Sequence, residues 1–378
     1  MRLVHVVTLV SDDGAFGGPT SVAAAQLEEC AARGHDVTLV SLWRGAKGTA
    51  RAPERVGDVP FVSRPARRVV PGRGCLGLMH PLLLWDLWRA MGRADAVHLH
   101  AGRDLVSLAG LTVARLRGKD FVTQTHGMVE PRTTPVARIF DRLFVPLLRR
   151  ARACLVLTDR ERRELSAVLG PDGPPLIHLP NGLRLSAHGT GAGTRGDHEV
   201  LFLARLHPRK RPEAFVEMAA LVHKENPEAR FTLYGADEGS LPGVRRLIGD
   251  RGIGDVVSYG GALDHSAALE AYRKAAVYVL PSVLEPFPMT VLEALAEGTP
   301  VVCTDSNGIA AELAEREAAL VTDGSPEALA DAVGRLLADP DLRGRMAEAG
   351  RRAIDEVFSI RAVVDRLEDL YRDRPGRR

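Results

Sequence analysis

The feature that most limits what this chain can fold into is a strand-helix alternation that occurs twice. Apolar, strand-like runs at Leu3–Val10, Val37–Leu42, Ala96–His100, Phe121–Thr125 and Cys154–Leu157 alternate with helical patterns at Ser21–Arg33, Leu82–Met91, Leu105–Arg117 and Val136–Arg150. Strands separated by helices long enough to cross back must pair in parallel, with the helices covering both faces of the sheet. A second series follows at Val200–Ala204, Phe231–Tyr234, Val256–Tyr259, Val277–Leu280 and Val301–Cys303, with helices such as Pro212–His223 and Ala267–Lys274 between. The expected fold class is therefore α/β, as two Rossmann-like, doubly wound domains. A length of 378 residues agrees, because one hydrophobic core rarely organises so long a chain. Between the two series runs Ser186-Ala187-His188-Gly189-Thr190-Gly191-Ala192-Gly193-Thr194-Arg195-Gly196, a composition typical of surface connections. The expected division is residues 1–185, a linker at 186–198, and residues 199–357.

Charge narrows the function classes. The net charge is +2 with 26% charged residues, which argues against a nucleic-acid binder driven by bulk electrostatics. Cys30, Cys75, Cys154 and Cys303 are far apart and form no Cys-x-x-Cys pair, so neither a zinc site nor a disulfide framework is expected. Met1 leads straight into a strand pattern, and no run of about 20 apolar residues appears. The reading is a soluble, cytoplasmic chain.

In open parallel sheets ligands bind outside the carboxyl ends of strands, and the segment from Pro281 to Pro300 occupies such a place. It puts two carboxylates, Glu285 and Glu293, on either side of a turn that leads from the strand ending at Leu280 into a helix beginning near Thr290. A helix start gathers backbone N–H groups and positive dipole at one point, which suits phosphate. The bordering carboxylates can accept hydrogen bonds from sugar and ribose hydroxyls. Together these describe a nucleotide sugar. A plain structural reading competes: Thr290 with Glu293 is a capping box and Gly298 with Pro300 a stop signal, although this leaves Glu285 unexplained.

Other polar features recur at strand ends. Gly17-Gly18-Pro19 follows the first strand and precedes a helix with Thr20 or Ser21 as its expected cap, so backbone there can approach a diphosphate. It is not the dinucleotide Gly-x-Gly-x-x-Gly, which disfavours a nicotinamide dehydrogenase. His126 ends the strand Phe121–Thr125 beside Gly127, and its imidazole is expected at the carboxyl end of the strand. Lys210 is one of only five lysines among 50 basic residues and sits within the arginine cluster Arg205 to Arg211. A compact ammonium suits one phosphate oxygen where a planar guanidinium does not fit.

The segment Pro281-Ser282-Val283-Leu284-Glu285-Pro286-Phe287-Pro288-Met289-Thr290 with Glu293-Ala294-Leu295-Ala296-Glu297-Gly298-Thr299-Pro300-Val301-Val302 resembles the Glu-x7-Glu motif of the retaining glycosyltransferases of family 4, which have the two-domain GT-B fold. The resemblance implies that Glu293 holds the donor ribose, that Glu285 sits near the transferred sugar, and that Phe287, Met289 and Thr290 contact sugar and diphosphate through their backbone. Pro288 stands where the family often has Gly. Thr125-His126-Gly127-Met128-Val129-Glu130-Pro131 resembles the His-Gly-Met-Leu-Glu-Pro loop of one subgroup, implying that His126 binds outer hydroxyls of the donor sugar and that Glu130 faces the acceptor. His98 and His100 read as a family-typical pair, His100 on the acceptor side. The family's Gly-Arg-Leu-x-x-x-Lys pattern matches Arg205 and Lys210, which it assigns to the diphosphate, with Ala204 in place of Gly. Pro180-Asn181-Gly182-Leu183-Arg184 matches a pre-linker motif in which Arg184 replaces the usual Asp. Gly17 and Gly18 match the family's donor-facing glycine loop. Tyr234-Gly235-Ala236 and Gly260-Gly261-Ala262-Leu263 resemble turns that frame base and diphosphate, marking Gly235 and Leu263. The resemblance also implies that the last helix, within residues 358–378, crosses back to the first domain.

The expected reaction moves a hexose-type sugar from a nucleotide diphosphate sugar, UDP- or GDP-linked, to an acceptor hydroxyl, with retention of configuration. Catalysis falls to His126, Glu285, Arg205 and Lys210. No cofactor or metal is expected, since no Asp-x-Asp motif is placed to hold one. Acceptors in view are a glycan, a lipid-linked glycan or a small natural product. A sugar-nucleotide epimerase, a phosphorylase and a non-catalytic sugar-nucleotide-binding protein share the architecture. In the helix pattern, Val136, Ile139, Phe140, Leu143, Phe144, Leu147 and Leu148 form one apolar stripe, with Arg138, Arg142, Arg149, Arg150 and Arg152 on other faces. Packing on the sheet is the first reading, and peripheral contact with an inner membrane surface the second.

Overall fold

A computed structural model describes residues 1–11, 17–45, 52–70, 74–184 and 196–373. The expected linker at 186–198 lies outside these residues up to Arg195. The chain forms two compact units, Met1–Gly182 with Ile360–Arg378, and Leu183–Ser359.

The first unit is built on an eight-stranded sheet. From one edge its order is Leu176–His178, Ala153–Val156, Phe121–Gln124, Ala96–His100, Arg2–Ser11, Asp36–Arg44, Val59–Pro65 and Arg55–Val56. All neighbours are parallel except the last pair, a short antiparallel turn-back. Because helices cover both faces, the central strands are buried almost throughout, as in Ala96–His100, where all five residues are buried. Four later helices of this unit start where a polar side chain satisfies a first amide. Asp104 accepts from the Ser107 N–H ahead of Leu105–Leu116, and Thr158 accepts from the Glu161 N–H ahead of Asp159–Leu169. The sheet carries apolar layers on both sides. One includes Val6, Leu87, Leu99, Leu111, Phe144 and Leu148. The other joins Leu3, Val7, Leu27, Leu39 and Val122 to the last helix, Ile360–Arg372, through Ile360, Val363, Val364, Leu367 and Tyr371. The spacing of those five residues makes one apolar stripe, and burying each large aliphatic contributes about 1.5–3 kcal/mol.

Two local expectations are corrected here. The first helix runs Gly17–Ala32, so Gly17 and Gly18 lie in its opening turn, and Thr20 and Ser21 do not cap it. Thr20 donates instead to the Leu9 carbonyl and Ser21 to the Gly18 carbonyl. The apolar stripe of the helix Pro135–Leu148 splits: Phe144, Val145 and Leu148 are buried, whereas Ile139 is 63% and Leu143 64% exposed. No described helix is long and apolar enough to cross a membrane.

The second unit has six parallel strands in the order Val257–Tyr259, Arg230–Tyr234, Glu199–Leu203, Val277–Leu280, Val301–Thr304 and Ala319–Thr322. After Ser325 the chain is helical through Pro326–Ala338, Pro340–Ala353 and a π-helical turn at Ile354–Phe358, which ends at an extended Ser359. Leu183 donates to the Phe358 carbonyl and pairs with Ser359. In the first unit, Gly182 lies so close to Ile360 that a Cβ would come within 2.7 Å of the Ile360 Cα. Only glycine permits that approach.

Candidate active site

Each sheet has one position at which neighbouring strands lead their crossovers in opposite directions, and the cleft at such a switch point is open to ligands. In the second unit it falls between Glu199–Leu203 and Val277–Leu280. Arg205 and Lys210 follow the first of these strands, and Glu285 to Glu293 follow the second. Lys210 Nζ donates to Glu285 Oε2 at 2.5 Å, with both side chains mostly buried. Arg209 adds a 4.0 Å contact to the same carboxylate and donates to the Leu284 carbonyl at 2.8 Å. The loop is fixed from the other side, where Gly308 N–H donates to the Glu285 carbonyl and Val283 N–H to the Arg209 carbonyl.

Backbone strain marks the same spot. Four described non-glycine residues have positive φ: His126, Arg211, Leu284 and Glu317. Arg211 follows Lys210 and Leu284 precedes Glu285, with φ of 52° and 51°. A branched side chain at φ 51°, and 60% exposed, gains nothing from packing that would offset the strain. Such strain, of order 1–3 kcal/mol, persists where the backbone must aim a neighbouring group.

The helix after the loop begins at Met289, one residue before the expected start, with Pro288 as its cap residue and no side-chain cap. The capping box is therefore absent. Thr290 Oγ1 accepts from Tyr278 Oη at 2.9 Å, and Glu293 accepts from Tyr272 Oη at 3.4 Å. Burial raises the Glu293 pKa, with His265 and Tyr272 working against the rise. Met289 and Thr290 lie at the helix start, while Phe287 is buried against Phe358 with ring centroids 6.2 Å apart. Gly235 has φ 145°, and a Cβ there would sit 1.8 Å from the Ala204 carbonyl oxygen, so no other residue fits. Its own carbonyl accepts from Tyr259 Oη. Leu263 is half-buried on the turn after Val257–Tyr259. Arg205 is well exposed and paired with Glu238 at 2.7 Å.

In the first unit the switch point falls between Arg2–Ser11 and Ala96–His100. A cavity of about 410 Å³ opens there, lined by Thr8, Gly18, His100, Asp104, Met128 and Arg132 among others. Gly18 has open space where a Cβ would be, so its backbone is accessible. Asp104 is buried and receives hydrogen bonds from Thr8 Oγ1 and from Ser107 N–H and Oγ. Burial still raises its pKa. Arg103 forks onto Asp141 and donates to the Glu130 carbonyl, while the Glu130 side chain, half exposed, meets Arg132 at 3.4 Å. His126, at φ 51°, stands behind the strand end and stacks on His100 with centroids 5.1 Å apart. Its Nε2 is 2.8 Å from His100 Nδ1. Burial pushes its pKa down to about 4, so the ring is neutral near pH 7.

Sequence reasoning missed two members of this group, His5 and Tyr371. His5 lies directly opposite His98 on the neighbouring strand, and His98 and His100 share a face. Three histidines at inward positions of apolar strands are the signal that could have revealed the cluster.

Residues 17–182 match the family described as Glycosyl transferase 4-like domain, and residues 193–353 match Glycosyl transferases group 1. Both halves of the chain thus match glycosyltransferase families. It is 29% identical over 301 residues to the alpha-D-kanosaminyltransferase of Streptomyces kanamyceticus, covering 73% of this chain and 77% of that one. It is 28% identical over 365 residues to the D-inositol 3-phosphate glycosyltransferase of Paenarthrobacter aurescens, covering 88% of each. Among solved structures it resembles Anabaena HepE in complex with UDP, with a TM-score of 0.72, 16% identity, and 98% and 99% of the two chains covered. It also resembles the sucrose-phosphate synthase of Thermosynechococcus elongatus, with a TM-score of 0.65, 20% identity and 98% of each chain covered. The fold of this glycosyltransferase is GT-B.

Proposed function

We propose that this glycosyltransferase moves a hexose-type sugar from a UDP- or GDP-linked donor to an acceptor hydroxyl, with retention of configuration and without a metal or other cofactor. The observation that carries the reading is the Lys210–Glu285 pair at the second-unit switch point, held by two strained residues, Arg211 and Leu284. An ammonium has three donors and Glu285 takes one, so Lys210 has capacity left for phosphate oxygens. Arg205 and the amides at Met289 and Thr290 add donors for the same diphosphate. HepE, whose structure holds UDP, supports that ligand class here.

In the reaction the bond from the anomeric carbon to the diphosphate oxygen breaks, and a bond from that carbon to the acceptor oxygen forms on the same face. The acceptor proton passes to a phosphate oxygen of the leaving group. Negative charge grows on the diphosphate, where each preorganised donor contributes about 2.7–4 kcal/mol in comparable sites. Positive charge grows on the sugar, which strengthens hydrogen bonds that Glu285 and His126 make to its hydroxyls. Glu293, not engaged in capping, serves the ribose hydroxyls. Gly235 and Leu263 frame base and diphosphate, and Phe287 fixes the loop. Gly17 and Gly18 approach the donor. The cavity at Thr8, His100 and Asp104, with Glu130 nearby, receives the acceptor, a glycan, lipid-linked glycan or small natural product. We further propose that the chain works in the cytoplasm or at an inner membrane face, a reading supported by the exposed Ile139 and Leu143 beside Arg138 and Arg142, which suit contact with an anionic lipid surface.

The test is a panel of UDP- and GDP-sugars scored first by thermal shift and then by nucleoside diphosphate release with excess chelator. Stabilisation by one donor class and acceptor-dependent release in chelator are expected. Loss of turnover that Mg²⁺ or Mn²⁺ restores would remove the metal-free mechanism. Donor turnover without acceptor would favour an epimerase, and turnover that requires free phosphate a phosphorylase.

A further inference from the structure

Behind His126 runs a chain of buried rings. His100 Nδ1 is 2.8 Å from His126 Nε2, His100 Nε2 is 3.1 Å from His5 Nδ1, and His5 Nε2 is 3.1 Å from Tyr371 Oη. Tyr371, on the last helix, also lies 2.8 Å from His98 Nδ1. Nitrogens of His5, His98 and His100 are within 4.8 Å of one another, close enough to share an ion. However, every ring nitrogen of these three has a hydrogen-bond partner except His98 Nε2, which is buried without one among the described residues. The geometry is that of a hydrogen-bonded chain.

One orphan atom then fixes the direction of every bond. A buried N–H without an acceptor is rarer than a buried lone pair without a donor. His98 Nε2 is therefore the bare nitrogen, and its proton is on Nδ1, donated to Tyr371 Oη. The Tyr371 hydroxyl must donate onward to His5 Nε2, because it has one proton and His98 offers none of its lone pairs there. His5 then donates from Nδ1 to His100 Nε2, and His100 from Nδ1 to His126 Nε2. His126 Nε2 is left as an acceptor and its proton sits on Nδ1, the nitrogen with no protein partner among the described residues.

We infer that Tyr371, His98, His5 and His100 are positioning residues that hold His126 as the Nδ1–H tautomer, so that it meets its ligand as a hydrogen-bond donor. Burial, which lowers the pKa of all four histidines, keeps the chain neutral, so direction and not charge is transmitted. Cys30 and Arg152, the other titratable groups that act on Tyr371, do not interrupt the chain of bonds. The catalytic consequence rests on the function proposed above. The tautomer itself does not, and on that proposal the donor from His126 goes to an oxygen of the transferred sugar.

The experiment is long-range ¹H–¹⁵N correlation of the protein labelled with ¹⁵N-histidine, with the His126 ring assigned from His126→Gln. The expected wild-type spectrum shows His126 protonated at Nδ1 and bare at Nε2. A ring protonated at Nε2 would overturn the inference, as would stoichiometric zinc in the purified protein, which would make these histidines ligands. Tyr371→Phe keeps the aromatic packing and removes the relay. Without the hydroxyl proton that fixes His5 Nε2 as an acceptor, the bias of His126 towards Nδ1–H should weaken without reversing, and kcat should fall by up to roughly fivefold with nucleoside diphosphate affinity unchanged. If that variant does not fold, the wild-type spectrum alone still decides the direction of the chain. An Nδ1–H spectrum in a protein that transfers no sugar would uphold the relay and sink the function instead.

Discussion

The two switch points solve different electrostatic problems. In the second unit the cleft is charged: Lys210 and Arg209 both reach Glu285, and the exposed Arg205 pairs with Glu238 on one side. In the first unit the corresponding position holds neutral imidazoles, stacked and hydrogen-bonded, behind His126 and His100. A leaving diphosphate needs fixed positive charge, whereas a sugar turning cationic needs dipoles that do not repel it. A protonated histidine beside that sugar would oppose the reaction. The difference teaches that burial does as much for the first site as charge does for the second.

The comparison breaks most sharply at Lys210. Lys210→Ala should lower kcat by roughly 10²–10³-fold, the effect of losing one preorganised donor to a leaving group. Initial-rate measurement on saturating donor checks it, and near-normal turnover would detach the pair from the chemistry. Glu285→Gln, which leaves Lys210 its charge, should also cut kcat while nucleoside diphosphate affinity is kept or improved.

His126→Ala is expected to reduce kcat and kcat/KM together, by roughly 10–100-fold, because its hydrogen bond is felt mainly in the transition state. A melting curve run alongside separates this from damage to the fold. If melting falls and turnover of the folded fraction does not, His126 is structural.

Acid should distinguish the units directly. His5, His98, His100 and His126 have folded pKa values below their ordinary 6.5, so the unfolded chain binds protons first as pH falls. Stability is therefore lost from about pH 6.5 downward, and for His126 the loss continues to its folded value of about 4. Each histidine contributes a slope of up to about 1.4 kcal/mol per pH unit. Hydrogen exchange corrected for intrinsic rates should show amides of Ala96–His100 losing protection between pH 6.5 and 5 while those of Val277–Leu280 keep theirs. Equal loss in both units would contradict the contrast drawn here.

A smaller effect concerns Glu293. As it caps nothing, Glu293→Ala should weaken nucleoside diphosphate binding by roughly tenfold with little change in melting temperature, reflecting lost hydrogen bonds to ribose. A lower melting temperature with intact affinity would restore the capping role. The smallest change is expected from Ile139→Ser with Leu143→Ser, which should leave turnover on a soluble acceptor unaltered and reduce sedimentation with anionic vesicles.

Much of this architecture was legible because parallel strands buried on both faces read as continuous apolar runs. Val277–Leu280 and Ala96–His100 stand in the sequence as they do in the fold. Lys210 and Glu285 were legible as unusual residues at strand ends, but their direct pairing was not, since it depends on two loops 75 residues apart. The capping box at Thr290 and Glu293 misled because Tyr278 and Tyr272 compete for the same oxygens from elsewhere in the fold. Thr20 and Ser21 misled because helix geometry begins already at Gly17. Tyr371 was invisible for a simpler reason: an apolar stripe announces that a helix packs, not which histidines its one hydroxyl will meet.

If Lys210 of the second unit holds the nucleotide and His126 of the first meets the sugar alone, calorimetric titration of UDP and GDP into wild type, Lys210→Ala and His126→Ala separates the two residues. The account predicts that the better-bound nucleotide loses roughly 10–150-fold in affinity in Lys210→Ala, as for one charge-assisted hydrogen bond, and stays within about twofold of wild type in His126→Ala. Wild-type affinity in Lys210→Ala, or a loss in His126→Ala as large as that expected for Lys210, would contradict it.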